Sequence, residues 1–411
     1  MQLQELIAAH DVPGICVGTF AGGVERYEAV GVRSIEDPVP VSADTLFRVA
    51  SITKTVTACT LMRLVADGRV DIDAYVRAYL PDFRVADAET SAGVTVRDLV
   101  THRTGWEDAV LSALPMTEHD DGALARAIAA MAETKQIFPL GRYYSYSNAG
   151  FAVAGRIIEV VAGRPYEEAV RQYVTEPMGL RRTFFFTDEA ITYPVALGHT
   201  GAPPQVVRPW WRNRARAPQG GLMSTARELI SYSRSLLDGA VLTGDVVKEM
   251  WRPHAKAAVF ADSVGVAWHV DDLPDGRTVV SHSGRTAGFG CRLAIVPERG
   301  EAYVVLLNSD SAPVLVHRIA RELLGLPEPA EPEPIPAPDL TSYAGAYTNG
   351  DEEPHVGADG TLELPGEPAA PLRFSAPDEA RAGEHLVRFL RADDGAIAWL
   401  RVDSRVFRRV R

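Results

Sequence analysis

The sequence predicts an α+β fold: an antiparallel sheet built from both ends of residues 1–326, a helical insert between those ends, and a small all-β unit after a linker. Three observations carry this expectation. Strand-like runs gather at residues 12–32 and 264–308, and helical periodicity dominates between them. The stretch PEPAEPEPIPAP at 327–338 alternates Pro with Glu, cannot pack, and favours an extended, semi-rigid connector.

The elements follow in order. Residues 2–10 read as a short helix. VPGICVGTF and VERYEAVGV read as two strands around a turn at Gly22 and Gly23. From Ser51 the spacing of Val56, Cys59, Thr60 and Leu64 predicts an amphipathic helix that stops at Gly68. Residues 94–180 read as several helices with turns at Gly105, Gly141 and Gly163. STARELISYSRSLLD (224–238) reads as a helix capped by Ser224 or Thr225, with Glu228 closing a capping box. VGVAWHV, RTVVSHSG, CRLAIVP and AYVVLLN are strands, and VLVHRIARELLGL is a closing helix. Short runs such as YAGAYTN, LRFS, HLVRFL, IAWLRV and RVFRRV make residues 339–411 a small all-β domain.

Composition narrows the function. The 411 residues are 46% hydrophobic and 23% charged, enough for a large core and two domains. A net charge of −12 argues against nucleic-acid binding, which needs a basic face, and is read as a solubility feature. Cys16, Cys59 and Cys291 are far apart, without CxxC spacing, and two sit in apolar runs; buried thiols are expected rather than disulfides or a metal site. No stretch has the length of a membrane span, and the N-terminus lacks the pattern of a signal peptide, so a cytoplasmic location is expected.

Three short motifs carry chemistry. Ser51-Ile52-Thr53-Lys54 puts a hydroxyl and an amine three residues apart on one helix face. A serine becomes a nucleophile when a base takes its proton, and a lysine acts as that base when burial and a helix N-terminus lower its pKa. Tyr146-Ser147-Asn148 precedes an apolar helix. Tyr146 near a lysine cation is expected to be drawn towards phenolate and to relay a proton. Asn148 either orients Lys54 or holds a substrate carbonyl. His282-Ser283-Gly284 ends a strand; the glycine lets a substrate approach the backbone, and the N–H groups of Arg285 and Ser51 suit an oxyanion hole. Each motif also has a plainer reading, as a solvated helix start, a core tyrosine turn or a satisfied strand histidine.

In order and context these residues resemble the serine β-lactamase and penicillin-recognising superfamily, in particular its class C-like branch of esterases, D-aminopeptidases and peptide cyclases. The likeness extends to LFRVASITKTVTACTLMRLVADGRVDID, VTVRDLVTHRTGW, FPLGRYYSYSNAGFAVAGRIIEVVAG, APQGGLMSTARELISYSRSLL and SHSGRTAGFGCRLAIVP. It implies a β-lactamase-like domain over 1–326, with Ser51 acylated, Lys54 activating it and Tyr146 as acid/base. Asn148, His282, Ser283, Gly284 and Arg285 would then contact substrate. His282 stands where many members carry a lysine facing the substrate carboxylate, which implies weak β-lactam turnover and an esterase or peptidase character. SYAGAYTNG, DGTLELP and LRF resemble the lipocalin-like domain attached to some D-aminopeptidases and cyclases. The resemblance implies no cofactor and no metal, and a small-molecule or peptide substrate. It leaves open hydrolysis, transfer to an amine from a carrier-bound peptide, and a non-catalytic sensor.

Two segments are ambiguous in the sequence. VRPWWRNRAR holds Arg208, Arg212, Arg214 and Arg216 beside Trp210 and Trp211. It suits an anionic or aromatic substrate clamp, or a loop packed on the insert. Thr101–Trp106 reads as a turn former, with Trp106 either lining the pocket or not.

Overall fold

A computed structural model describes residues 2–114, 119–210, 213–257, 261–327 and 332–410. Trp211 and Arg212 of the Arg/Trp loop, and linker residues 328–331, lie outside the described residues.

The central sheet has eight antiparallel strands: β1 (Gly14–Ala21), β2 (Val24–Gly31), β3 (Ala255–Lys256), β4 (Ser263–Val264), β5 (His269–Asp272), β6 (Thr278–Thr286), β7 (Phe289–Val296) and β8 (Glu301–Leu307). Their order is β2-β1-β8-β7-β6-β5-β4-β3, so the first strands of the chain pair onto strands from beyond residue 300. This is the sheet from both ends that the run pattern predicts. On one face, helices Leu3–Ala9 and Pro313–Leu324 pack through Leu3, Ile7, Leu315 and Ile319 against Ile15, Val17 and Val305. The other face meets the helical insert in one large core that includes Cys16, Ile52, Phe151, Ile230, Leu293 and Leu306. All three cysteines are buried and free.

The helix Thr53–Ala66 departs from the amphipathic expectation. It is buried almost all round, with Thr53 to Met62 and Leu64 inside. The sequence hides this because its threonines look polar. In place, each hydroxyl finds an acceptor within the protein: Thr55 donates to the Ile52 carbonyl, Thr57 contacts the Pro218 carbonyl and Tyr166, and Thr60 donates to the Val56 carbonyl. Helix Asn148–Ala162 crosses nearby. A Cβ added at its Gly155 would come within 2.2 Å of Pro218 Cγ, so the glycine sets how closely the 217–220 segment approaches. Helix Ala226–Leu237 is capped by Thr225, which accepts from the Glu228 N–H. The expected capping box does not close. The Glu228 carboxylate instead accepts from the Arg181 N–H and the Thr183 hydroxyl.

Beyond the linker, eight strands between Gly345 and Arg409 close into an antiparallel barrel, each beside the next in chain order. Two of them, His355–Val356 and Glu379–Ala382, carry too few apolar residues to stand out in the sequence. Tyr347, Phe374, Phe389, Leu400 and Phe407 fill the interior. The linker residue Ile335 donates its N–H to the Phe374 carbonyl of the barrel.

The barrel docks on the helical insert through its last hairpin. Trp399 donates from Nε1 to the Ile137 carbonyl at 2.8 Å and packs edge-on against Tyr143. Arg401 donates to the Tyr144 carbonyl, the Val406 N–H to the Ser145 hydroxyl, and the Tyr146 N–H to the Ser404 carbonyl. Trp399→Ala removes both the packing and the hydrogen bond. It is expected to cost about 3 kcal/mol, read as a lower denaturant midpoint.

Candidate active site

Ser51 sits in a 3₁₀ turn, Ala50–Ile52, that leads into the buried helix. The residue before it, Ala50, holds φ at +43°, a left-handed conformation that costs a non-glycine residue energy and throws the serine out of the helix line. Ser51 therefore reaches a cleft of about 1020 Å³, also lined by Tyr146, Asn148, His282 and Arg285. The structure brings all eight residues singled out by motif into one place.

Lys54 lies fully buried beneath Ser51. Its Nζ stands 3.3 Å from Ser51 Oγ, 2.9 Å from Asn148 Oδ1 and 2.8 Å from the Gln219 carbonyl. Asn148 thus orients the lysine, one of the two roles open to it in the sequence. Burial lowers the Lys54 pKa to about 7; the Asp108 carboxylate partly restores the charge, and Arg405 opposes it.

The Tyr146 ring lies 4.8 Å from Lys54 Nζ and stacks on His102 at 4.5 Å. The expected drift towards phenolate does not occur. Burial raises the Tyr146 pKa more than the hydrogen bond with Ser51 lowers it, so the phenol keeps its proton.

His282 is buried and held well below the ordinary histidine range, by burial first and then by neighbouring His269 and Lys54. Its Nδ1 is 2.6 Å from the Ser283 carbonyl, which can only accept, so Nδ1 carries the proton. The neutral ring then offers a lone pair at Nε2, which has no hydrogen-bond partner among the described residues. His282 is an acceptor here, not the donor a lysine at this place would be.

Gly284 serves closeness of another kind than the sequence suggests. A Cβ there would lie 2.6 Å from the Val49 carbonyl and 3.0 Å from Ala50 Cβ. What approaches the strand is the chain's own turn carrying Ser51.

Several residues at the site escape motif reasoning. Asp108 accepts from the Ser147 hydroxyl and from the N–H groups of Asn148 and Ala149 at 2.9–3.1 Å. It caps the helix carrying Asn148, and Arg405 of the barrel lies 4.0 Å away. An acid 40 residues from the motif it holds leaves no local signal. His102, expected only to shape a turn, has φ +57° and accepts from the Ser147 N–H at 3.0 Å while supporting Tyr146. Trp106 packs on Phe83 in the core and does not line the cleft.

The described arginines of the Arg/Trp loop are bound within the protein. Arg208 pairs with Glu36, Arg214 with Glu167 and Asp121, and Arg216 donates to the Leu111 and Ser112 carbonyls. The clamp reading is set aside for these three; Trp210 does line the cleft.

Comparison with known proteins places this geometry in a family. The Beta-lactamase family model matches residues 2–326. The chain belongs to the Beta-lactamase family. Among curated relatives of this Beta-lactamase family chain, "Penicillin-binding protein 4" of Amycolatopsis lactamdurans is 32% identical, covering 82% of this chain and 93% of its own. "D-aminopeptidase" of Gluconobacter oxydans is 26% identical over 89% of this chain and 67% of its own. Among solved structures, SurE superposes with a TM-score of 0.84 at 27% identity, over 99% of this chain and 97% of its own, and so shares the barrel as well as the larger unit. No helix among the described residues is long and apolar enough to cross a membrane.

Asp108→Asn keeps the shape but removes the charge and part of the accepting capacity. It is expected to cost about 1–3 kcal/mol of stability. Because the Asp108 charge raises the Lys54 pKa, the acid limb of a pH–rate profile on an activated ester should move to lower pH; a shift to higher pH would contradict this arrangement.

Proposed function

We propose that this chain is a serine hydrolase that cleaves an ester or amide, next to a D-configured residue, through an acyl-enzyme on Ser51. One observation carries the reading. Of the three partners of Lys54 Nζ, Asn148 Oδ1 and the Gln219 carbonyl can only accept. A neutral amine gives its two N–H groups to these, and its lone pair then faces Ser51, the only partner with a proton to give. With a pKa of about 7, Lys54 is neutral in a large fraction of molecules at neutral pH.

In this mechanism Ser51 Oγ attacks the acyl carbonyl while its proton passes to Lys54. The oxyanion takes hydrogen bonds from the N–H groups of Ser51 and Arg285. On collapse, the Tyr146 phenol protonates the leaving group, and the Lys54 ammonium restores the Tyr146 proton. Water then attacks the acyl-enzyme by the same path in reverse. His282 Nε2 accepts from a substrate N–H, in place of the cation found at this point in many relatives. The preference for a D residue rests on the relative named a D-aminopeptidase and on the SurE structure solved with D-Leu.

A second reading, transfer to an amine of a carrier-bound or ester-activated peptide, is favoured by the cleft. Barrel residues Arg381, His385, Ser404 and Arg405 stand over it, and its volume exceeds what a dipeptide fills. A covered cleft can hold an acyl chain together with its own amino end.

A fluorophosphonate probe should give one adduct, on Ser51, and Ser51→Ala should give none and lose at least about a thousandfold in turnover. Hydrolysis of a p-nitrophenyl D-amino acyl ester should rise with pH through about 7 as Lys54 loses its proton. An adduct elsewhere, or a rate that falls over that range, would overturn the assignment. Product mass with a tethered amine separates water from amine as acceptor.

A further inference from the structure

We propose that Arg48 is an anchor for a carboxylate of the acyl substrate, so that the cleft selects an anionic substrate. The inference rests on reading this cleft as the acyl site and adds the substrate's charge class to it.

Arg48 lies three residues before Ser51, in the two-residue strand Phe47–Arg48 that pairs with Met223–Ser224. Its half-buried side chain lines the cleft beside the apolar groups of Phe185, Trp210 and Met223. Three other arginines of the wall are engaged, whereas Arg381, like Arg48, has a guanidinium nitrogen without a partner among the described residues. Arg214 has two carboxylates, Arg216 has two backbone carbonyls, and Arg405 faces Asp108. Among the described residues, the Arg48 side chain has no hydrogen-bond partner and no carboxylate within ion-pair reach. Burial alone acts on its charge, with no acid offsetting it. A cation partly withdrawn from solvent and without a partner loses part of its hydration with nothing to replace it. A substrate that supplies the missing carboxylate replaces that hydration, and the planar guanidinium fork fits a carboxylate in two-point contact.

The surroundings agree. Six arginines and four carboxylates line the cleft, although the chain as a whole carries −12. Three of those carboxylates are already engaged: Glu167 with Arg214, Asp403 with His385, and Asp310 with the Gly288 N–H. Arg285, exposed on the wall beside the third motif, likewise has no ion pair. The uncompensated charge of the cleft is therefore positive, which draws an anion in against the repulsion of an acidic protein.

The test is a titration calorimetry comparison of N-acetyl-D-leucine with its uncharged amide. The full chain should bind the acid at least about tenfold more tightly than the amide, a difference of about 1.4 kcal/mol. Arg48→Met should reduce acid binding to the level of the amide and leave the amide unchanged; Arg48→Lys should fall between. Arg48→Met should melt no lower than the wild type, because it removes an unpaired cation. Equal binding of acid and amide by the wild type, no binding of either, or wild-type acid binding by Arg48→Met would each overturn the proposal. So would inorganic phosphate competing better than the acid, or a loss of folding in both variants, which would make Arg48 a structural residue. Binding does not need a reactive serine. A protein that discriminates acid from amide but takes no fluorophosphonate would keep the anchor and reject the acyl chemistry.

Discussion

Lys54 is an amine placed in the interior, held by one side-chain amide, one backbone carbonyl and one hydroxyl, with no carboxylate in contact among the described residues. Those partners come from three separate parts of the chain: the 3₁₀ turn at 50–52, the start of helix 148–162, and the 217–220 segment. Each must arrive within a few tenths of an ångström, and much of the packing serves that. Gly155 allows Pro218 to lie against helix 148–162, which seats the Gln219 carbonyl. Asp108 ties down the first turn of the same helix and so fixes Asn148. Gly284 lets strand β6 close on the Ser51 turn. Burial that would merely weaken a structural lysine here brings its pKa to about 7, where a proton can move in either direction.

The same low-dielectric surroundings keep Tyr146 and His282 neutral, against what their neighbours alone would suggest. The resting site therefore holds little fixed charge at the reacting atoms. Arginines, Arg48, Arg285 and Arg405 among them, line the walls of the same cleft.

Much of this was legible in the sequence. The two groups of strands, the Pro/Glu boundary and the three motifs carry local signals: alternation, composition and fixed short spacings. What was not legible depends on distant partners. Asp108 holds a motif 40 residues away, and Arg48 stands out through its lack of a side-chain partner among the described residues. The helix after Ser51 reads as amphipathic because threonine looks polar until its hydroxyl is seen bonded to a carbonyl. Glu228 has the spacing of a capping box, yet Thr183 and Arg181, about 45 residues away, take its carboxylate. The arginines at 208, 214 and 216 look like a ligand site by density alone, and their acids and carbonyls are scattered from Glu36 to Glu167. Motif spacing reports which groups share a helix turn; it carries nothing about which groups meet across the fold.

The contact between Tyr146 and the barrel has a consequence for how the protein is made. The Tyr146 N–H is held by the carbonyl of Ser404, and the neighbouring Ser145 hydroxyl by the N–H of Val406. Ribosomes deliver a chain from its N-terminus, and its parts fold as they emerge. Ser51 and Lys54 are therefore synthesised some 350 residues before the hairpin that braces Tyr146. During that interval Ser51 and Lys54 can meet, but the turn bearing Tyr146 lacks the contact with Ser404. The hairpin that braces the Tyr146 turn thus emerges long after the residues it supports.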